Sequence, residues 1–314
     1  MTWDRHIGRR LKLRDLYILI AVSHERSMGR AAAKLNMTQP AVSNAIADLE
    51  RIVGYRLLDR SRRGVEPTAY GNALIKRGRL VFDELKESVK EIEFLADPTS
   101  GEVRIGAAPP LAVGFVPAII ARLARDYPRL VFHVVEAEPA SVHQQLRERT
   151  IDLGIARMLR QRPEDDMHAN VLFDNSHVVV AAANSPWARR QKIRLAELVH
   201  EPWVLPPEGT FPHSVIEAAF RDAGLEMPRA TVTTFSLVVR KSMAASGRFL
   251  SMIPRAALKF PPLDPSIKSL SVDLAAVRQQ AAVLTMKDRT ITPAAKLFID
   301  CAREVAKPLI KTRA

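Results

Sequence analysis

The sequence lacks several features that define well-known classes of protein. Its 314 residues contain one cysteine, Cys301, which excludes an internal disulfide framework and a zinc site built from several cysteines. No stretch approaches the roughly 18 consecutive apolar residues that cross a membrane. The N-terminal sequence MTWDRHIGRRLKLRD also lacks the apolar run of a secretory signal. A cytoplasmic protein with no membrane partner is therefore expected.

The motifs of common enzyme classes are missing as well. The chain contains no G-x-S-x-G, G-x-x-x-x-G-K-[ST], H-E-x-x-H or G-x-G-x-x-G pattern. Its eight histidines are scattered and form no compact ligand cluster in sequence. The acidic run at 164–166 follows Pro163 and is expected to be a solvated turn rather than acid–base machinery. No catalytic residue, metal site or cofactor is predicted, and the chain is not expected to be an enzyme.

The chain does have a large excess of positive charge. There are 47 Lys and Arg against 34 Asp and Glu, which gives a net charge of +13. Residues 1–90 carry +8 and residues 91–314 carry +5, so the excess is more than twice as dense in the first third. Such a surplus raises the affinity for nucleic acid through counterion release, without reading a base sequence. An arginine-rich surface that only keeps the protein soluble is the alternative interpretation.

Three helices are predicted in the first 55 residues. An amphipathic segment covers 13–23, and Ser27 is placed to cap a short alanine-rich helix over 28–35. Thr38 is placed to cap a third helix that ends at Gly54, since glycine readily adopts the left-handed conformation of a helix C-terminus. Two short helices joined by a tight turn are typical of a helix-turn-helix.

The third helix separates an apolar face from a polar one. Val42, Ile46 and Leu49 belong to the apolar stripe, whereas Gln39, Ser43, Asn44 and Asp48 lie opposite. A second helix of this kind enters the major groove with its N-terminal residues against base edges. Gln and Asn carry paired donor and acceptor atoms that match adenine, and Ser adapts to several bases. From these residues alone, a helical hairpin without a role in DNA binding remains the alternative.

A basic hairpin comes next. Residues 55–68 have the pattern of a two-stranded wing with Gly64 at its tip. Arginine side chains there suit phosphate contacts, which fix register without specifying bases; they are Arg60, Arg62 and Arg63.

Thr68 then caps a predicted long helix over 69–96. Near-heptad apolar spacing in this helix indicates a dimer seam, and the positions are Leu74, Val81, Leu85, Ile92 and Leu95. The segment DPTSG at 97–101 ends the helix and marks a domain boundary.

Beyond Gly101 strands and helices alternate, which predicts parallel α/β sheets. The predicted helices cover 111–127 and 141–149, and the predicted strands cover 102–107, 130–135, 151–156, 176–183, 231–234, 249–253 and 280–286. In such sheets small ligands bind beyond the carboxyl ends of the strands.

The first third of the chain resembles the DNA-binding domain of LysR-type transcriptional regulators. The resemblance covers residues 12–70 and is carried by AAAKLNMTQPAVSNAIADLERIVGYRLLDRSRRGVEPTAYG. The rest follows the order and spacing of the family's effector domain. Within the family, the chain is similar to the regulators of sugar-binding transport genes.

The resemblance implies an α/β fold with an N-terminal winged helix-turn-helix over 1–68. A linker (dimerisation) helix over 69–97 follows, and then an effector-binding domain over 98–314. That domain is expected to have a two-subdomain, periplasmic-binding-protein-like (type 2) α/β fold. The chain is expected to cross between the subdomains near 157–161 and 263–266, which assigns about 101–158 and 265–314 to subdomain I and about 159–264 to subdomain II.

The resemblance also implies which residues contact DNA. Gln39, Pro40, Ser43 and Asn44 correspond to the groove face, and Arg60 occupies the family's wing-root arginine. The full predicted set is Ser27, Thr38, Gln39, Pro40, Ser43, Asn44, Arg51, Arg60, Arg62 and Arg63. Two departures from the family occur: Asn44 stands where many members carry Arg or Gln, which leaves its base preference open, and Leu58 replaces the commoner Phe.

The effector pocket is predicted by position in the expected sheets. Its predicted residues are Ala108, Pro109, Ala140, Ser141, Arg157, Thr210, Phe211, Ser214, Phe235 and Ser236. Backbone N–H groups at helix starts favour a carboxylate or phosphate, and Arg157 is placed to pair with it. A small organic acid, or a sugar-related metabolite, is therefore the expected effector. Ordinary loop capping is the alternative for each residue.

The sequence thus predicts a ligand-responsive transcription factor that binds a partly palindromic site in double-stranded promoter DNA as a homodimer. The family resemblance adds a homotetramer, and RNA polymerase as a further partner. The alternative is a constitutive DNA-binding repressor whose C-terminal domain serves only oligomerisation. A transport receptor for small molecules is disfavoured, because it would need a signal peptide and has no use for residues 12–68.

Overall fold

The computed structural model describes residues 10–61, 64–159, 163–260, 264–274 and 279–310. The chain divides into two units between residues 89 and 90. No helix within these ranges is long and apolar enough to cross a membrane. Two wing arginines, Arg62 and Arg63, and parts of the predicted crossovers near 157–161 and 263–266 lie outside the described residues.

The first unit begins with three short helices, α1 (Leu13–Glu25), α2 (Met28–Lys34) and α3 (Gln39–Val53). Both predicted N-caps are confirmed. The Ser27 hydroxyl accepts from the backbone N–H of Arg30 at 3.3 Å, and the Thr38 hydroxyl accepts from that of Ala41 at 3.4 Å. Gly54 ends α3 with φ of 81°. The helix-turn-helix is therefore set by residues within a few positions of each helix end.

The three helices pack around one apolar core. Ala31 and Ala32 of α2 are buried, and their small side chains allow the backbones of neighbouring helices to approach closely. The other fully buried members include Leu19, Ile46 and Leu49. Leu58, which replaces the family's commoner Phe, is also buried in this core, so the substitution changes packing rather than surface.

The wing is a two-stranded antiparallel hairpin of β1 (Leu58–Ser61) and β2 (Gly64–Pro67). The carboxylate Oε1 of Glu50 on α3 accepts from the backbone N–H groups of Leu57 at 2.8 Å and Leu58 at 3.2 Å. The N–H of Val65 donates to the carbonyl of Arg26 at 3.1 Å. These bonds attach both wing strands to the helix-turn-helix.

The long helix α4 (Ala69–Ala96) has the predicted bounds. The Thr68 hydroxyl caps it by accepting from the N–H of Gly71 at 3.0 Å. The backbone at Gly71 lies in close contact with the backbone at Leu57. A Cβ at position 71 would be 2.0 Å from the carbonyl oxygen of Leu57. Leu74 packs against the core of the first unit, which removes it from the predicted dimer seam.

In the second unit the described strands are β3 (Ser100–Ala107), β4 (Arg129–Glu136), β5 (Leu153–Arg157), β6 (Met167–Asp174), β7 (His177–Ala182), β8 (Trp203–Leu205), β9 (Ala230–Thr233), β10 (Leu250–Pro254), β11 (Ile267–Ser269) and β12 (Gln280–Met286). The described α-helices are α5 (Pro109–Ala112), α6 (Phe115–Asp126), α7 (Pro139–Arg147), α8 (Phe211–Asp222), α9 (Leu237–Ala245) and α10 (Pro293–Ile310). The single helix predicted over 111–127 is wrong, since α5 and α6 are separate.

The strands form two five-stranded sheets with helices on both faces. The first has the order β4-β3-β5-β12-β6, and the second has the order β11-β7-β10-β8-β9. Both sheets are mixed rather than purely parallel. β12 runs antiparallel to β5 and β6, and β7 runs antiparallel to β10 and β11. This arrangement is the predicted two-subdomain α/β fold.

The predicted crossover points between the two sheets are wrong. β6 pairs with β12, with Ala169 opposite Leu284, so it belongs to the first sheet and the chain crosses at 175–176 rather than near 157–161. β11 pairs with β7, and Val272 bridges Ile193, so the return crossing lies beyond 272 rather than at 263–266. The subdomain boundaries shift accordingly. β6 was not predicted, although apolar and polar residues alternate over 167–171 as they do in a half-buried strand.

Candidate functional site

The N-terminal part of α3 presents a polar surface. Thr38, Gln39, Pro40 and Asn44 are exposed, and Ser43 is half-buried at the same end of the helix. The buried stripe Val42, Ile46 and Leu49 holds the opposite side of α3 in the core, which fixes the direction of these polar side chains. The structure therefore brings together five of the predicted DNA-contacting residues on one surface.

The remaining predicted DNA contacts are not all on this surface. Ser27 uses its hydroxyl as the cap of α2. Arg51 lies near the other end of α3 and forms a surface ion pair with Asp48 at 2.7 Å. Arg60 lies in β1, opposite Val65, and its side chain is outside the described part of the structure, as are Arg62 and Arg63.

An apolar stripe runs along α4 beyond Leu74. Its members are between 42% and 73% exposed in the single chain, and they are Val81, Leu85, Val89, Ile92 and Leu95. Four of them match the predicted seam, and Val89 is an addition. Steps of three and four residues keep them on one side of a helix.

A cavity lies between the two sheets of the second unit, at the carboxyl ends of β3, β5 and β10. It contains about 730 Å³ of empty space, part of which is open to solvent. Its lining includes Ala108, Pro109, Pro110, Leu111, Glu138, Pro139, Arg157, Asn175, His177, Phe211, Pro212, Phe235, Leu237, Arg240, Pro254, Gln279, Gln280 and Ala281. Residues that are far apart in sequence thus meet where the topology of α/β sheets places ligands.

Half of the predicted pocket residues line this cavity: Ala108, Pro109, Arg157, Phe211 and Phe235. The other five are Ala140, Ser141, Thr210, Ser214 and Ser236, and they do not line it. Four of those five have hydroxyl groups that make local hydrogen bonds, and the capping alternative holds for Ser236 among them. Ser236 accepts from the N–H of Val239 at 3.3 Å and caps α9.

Arg157 and Phe211 meet across the cavity. The guanidinium carbon of Arg157 lies 3.3 Å from the centroid of the Phe211 ring, and Nη1 donates to the carbonyl of Met158 at 3.2 Å. Burial lowers the pKa of Arg157, and the nearby charge of Glu138 opposes this. Burial in turn raises the pKa of Glu138, and Arg157 opposes that shift. Arg157 is thus already in contact with an aromatic face and close to an acidic side chain.

Six polar side chains of the lining were not predicted from the sequence: Glu138, Asn175, His177, Arg240, Gln279 and Gln280. His177, Arg240 and Gln279 share a further property. Each has a buried nitrogen without a hydrogen-bond partner, namely Nδ1 of His177, Nε of Arg240 and Nε2 of Gln279. Burial lowers the pKa of Arg240 to about 10. Burial, and secondarily the charge of Arg240, lowers the pKa of His177 to about 3, so its imidazole is neutral. The sequence signal that could have indicated Arg240 was its position as the single arginine of the segment LVVRKSMAA.

The acidic turn at 164–166 is not simply solvated. Glu164 and Asp166 both pair with Arg147 of α7, and Glu164 also lies 3.3 Å from Nδ1 of the buried His143. The hydrogen bond from Arg147 is the largest cause that lowers the pKa of Asp166. The turn therefore fastens β6 to α7. Among the described residues, no three His, Cys, Asp or Glu side chains are grouped to hold a metal ion.

A helix-turn-helix with an exposed polar second helix, joined to a two-sheet unit with a cavity between its sheets, defines a DNA-binding regulator with an effector domain. Family models agree. Residues 13–72 match the bacterial regulatory helix-turn-helix protein, lysR family, and residues 96–307 match the LysR substrate binding domain. The chain belongs to the LysR family of DNA-binding transcriptional regulators.

Curated relatives match over almost the whole chain. The regulator GbpR of Azospirillum brasilense is 31% identical over 301 residues, which covers 94% of this chain and 86% of GbpR. The regulator TdcA of Escherichia coli K12 is 26% identical over 293 residues, with 93% of each chain covered. The narrower group of sugar-transport regulators is not established by these matches.

Solved structures share the fold. A full-length variant of OxyR from Pseudomonas aeruginosa superimposes with a TM-score of 0.65 at 23% identity, covering 98% of this chain and all of that one. Full-length CbnR complexed with its target DNA gives a TM-score of 0.53 at 20% identity, covering 94% and 100%.

Proposed function

We propose that this chain is an effector-responsive transcription regulator, in which a small molecule in the second unit alters how the first unit binds promoter DNA. The observation that supports a response to an effector is the cavity, which is lined by residues of both sheets. A ligand that touches both sheets binds some arrangements of them more tightly than others, and this differential affinity shifts their populations. The proposed action is binding rather than catalysis, on chromosomal DNA in the cytoplasm.

The exposed end of α3 supports the DNA half of the proposal. Gln39 and Asn44 are exposed amides on a helix held by its buried face, as expected for side chains that read base edges in the major groove. The basic wing is expected to contact phosphates through Arg60, Arg62 and Arg63.

The apolar stripe of α4 supports self-association. Exposed valine, leucine and isoleucine side chains at helical spacing are covered when two copies of the helix pair. A two-fold dimer binds two related half-sites, which accounts for a partly palindromic operator. A homotetramer through the second units, and RNA polymerase as a partner at the promoter, complete the proposal.

Recognition of the DNA base sequence is tested with the Asn44→Ala variant of the full-length chain. Affinities for the DNA upstream of its own gene and for a scrambled duplex of equal composition are compared by fluorescence anisotropy. We expect Asn44→Ala to reduce discrimination by about 1–3 kcal/mol at one base position per half-site. Asn170→Ala, which changes an exposed asparagine on β6, is the matched control and should leave discrimination unchanged. Equal losses on both duplexes for Asn44→Ala would contradict the groove placement.

Pairing through α4 is tested with a Val81→Asp and Leu85→Asp double variant. Four carboxylates then enter the apolar interface of a dimer, where unpaired charge is strongly unfavourable. Light scattering should show loss of the dimer, and footprinting should show loss of paired half-sites. Val171→Asp, at an exposed valine of β6, is the control for an added surface charge. Unchanged mass in the double variant would exclude α4 as the contact.

A further inference from the structure

One wall of the cavity carries a buried positive charge that has no counter-charge among the described residues. Arg240 is 3% exposed, and its Nη1 donates to the carbonyl of Met252 at 3.2 Å. Its Nε has no hydrogen-bond partner, and no ion pair to Arg240 occurs within the described ranges of the chain. A buried guanidinium in this state lacks the compensation that buried charges normally have.

The acidic side chain in the same lining does not supply that compensation. Glu138 acts on Arg157, whose guanidinium also lies over the Phe211 ring. Burial alone is what shifts the pKa of Arg240, with no opposing contribution from any carboxylate. The two arginines of the cavity therefore differ: Arg157 is near an acid and an aromatic ring, and Arg240 has only a carbonyl.

Two neutral groups of the lining are also without partners. Nδ1 of His177 and Nε2 of Gln279 are buried and unbonded. An amide nitrogen only donates, and a neutral imidazole donates from either nitrogen according to its tautomer. Arg240 and these two neutral groups can all donate, which suits an acceptor that carries negative charge.

The rest of the lining is largely apolar. Leu111, Phe235, Leu237 and Pro254 contribute side chains without hydrogen-bonding groups. Such a wall favours a hydrocarbon body over a sugar ring, whose hydroxyl groups would lose their hydrogen bonds to water. With Arg157 near Glu138, Arg240 is the cation of the described lining that has no acidic neighbour there, which suits a single carboxylate.

We propose, building on the effector-responsive function above, that the cavity binds a small monocarboxylate with an apolar body, and that Arg240 rather than Arg157 holds its carboxylate. His177 and Gln279 donate to the same group, and the apolar wall covers the body. Arg240 is then paired only when the ligand is bound.

The first experiment uses the unmodified full-length chain, so that it does not depend on a variant folding. Isothermal titration calorimetry compares butyrate with butyramide, hexanoate with hexanamide, and phenylacetate with phenylacetamide. Each amide matches its acid in shape and lacks the charge. We expect at least one acid to bind more than about tenfold tighter than its amide, since only the acid forms charge-assisted bonds. Absence of an acid preference in all three pairs would overturn the proposal.

The second experiment assigns the preference to a residue. Arg240→Met, which keeps much of the length and removes the charge, should abolish the acid preference, and Arg240→Lys should retain part of it. Arg157→Met is the comparison, since it removes the other arginine of the same cavity and leaves Glu138 there without that cation, and it should retain more of the preference than Arg240→Met. Loss of the preference in Arg157→Met but not in Arg240→Met would overturn the assignment. If Arg240→Met fails to fold, the acid preference of Arg240→Lys is compared with that of Arg157→Met. We expect the smaller preference in Arg240→Lys, and a smaller preference in Arg157→Met would overturn the assignment.

DNA binding is measured on the same preparations. If no acid is preferred while the chain still discriminates its own upstream DNA from scrambled DNA, the carboxylate inference fails and the DNA-binding part of the proposed function stands. If the unmodified chain does not discriminate between the two duplexes, the proposed function itself fails.

Discussion

The two candidate sites of this chain are assembled in opposite ways. On α3 the polar surface is fixed by contacts a few residues apart, such as the Thr38 cap on Ala41. In the second unit, Ala108, Arg240 and Gln279 meet only because two sheets bring distant segments together. The first site therefore depends on local helix chemistry, and the second depends on long-range packing and buried charge. The following substitutions each change either a local contact or a long-range contact.

The largest effect is expected from Asp152→Ala, which breaks a long-range contact of the second unit. Asp152 and Arg289 are 6% and 7% exposed at the side chain, and they are 2.8 Å apart. Asp152 also accepts from the N–H of Arg104. The variant removes the carboxylate of a buried ion pair and the acceptor of the Arg104 N–H, so we expect the free energy of unfolding of this unit to fall by about 3–5 kcal/mol. Urea denaturation followed by circular dichroism measures it.

Asp126→Ala is the control for that variant, because Asp126 pairs with Arg125 at the surface. It should change the unfolding free energy little. Similar losses in both variants would show that the buried pair has no special role.

The next effect concerns pH and His177. Burial keeps its folded-state pKa near 3, whereas the unfolded chain takes up a proton near pH 6.5. Acidification therefore favours the unfolded state, and stability is lost as pH falls below about 6.5, by up to about 1.4 kcal/mol per pH unit. His177→Gln should remove this contribution. The measurement is the difference in unfolding free energy between pH 7 and pH 5 for both proteins, and equal differences would contradict it.

A smaller effect is expected from Glu50→Ala in the first unit. The variant leaves the N–H groups of Leu57 and Leu58 without their acceptor, which costs about 1–3 kcal/mol. Thermal unfolding should show reduced stability, and DNA affinity should fall as the wing loosens. Glu50→Gln keeps an acceptor oxygen and should restore most of both; if it does not, charge rather than hydrogen bonding is what matters.

The smallest effect compares the two units directly. Ser27→Ala removes the cap of α2, and Ser236→Ala removes the cap of α9, which carries Arg240. Each should lower stability by about 1 kcal/mol. Hydrogen exchange should localise the first loss to the DNA-binding unit and the second to the effector unit. Faster hydrogen exchange in both units after either substitution would contradict the assignment of each cap to one unit.

The difference between local and long-range contacts explains which features the sequence could predict. Caps, the ends of α3 and the bounds of α4 follow from neighbouring residues, and they agree with the structure. β6 was missed although apolar and polar residues alternate over 167–171, and its place in the first sheet depends on pairing with the distant β12, so the crossovers moved as a result. Arg240 was missed for a different reason. A lone arginine in an apolar helix usually extends to water, and its burial depends on which elements cover α9.

Gly71 has a consequence for how this chain can vary. Because a Cβ there would lie 2.0 Å from the Leu57 carbonyl oxygen, alanine is excluded as firmly as tryptophan, and no neighbouring side chain can be trimmed to make room. In a saturation library selected for DNA binding, position 71 should return glycine alone. Gln39 and Asn44 are exposed, so the packing of the first unit sets no such limit on them.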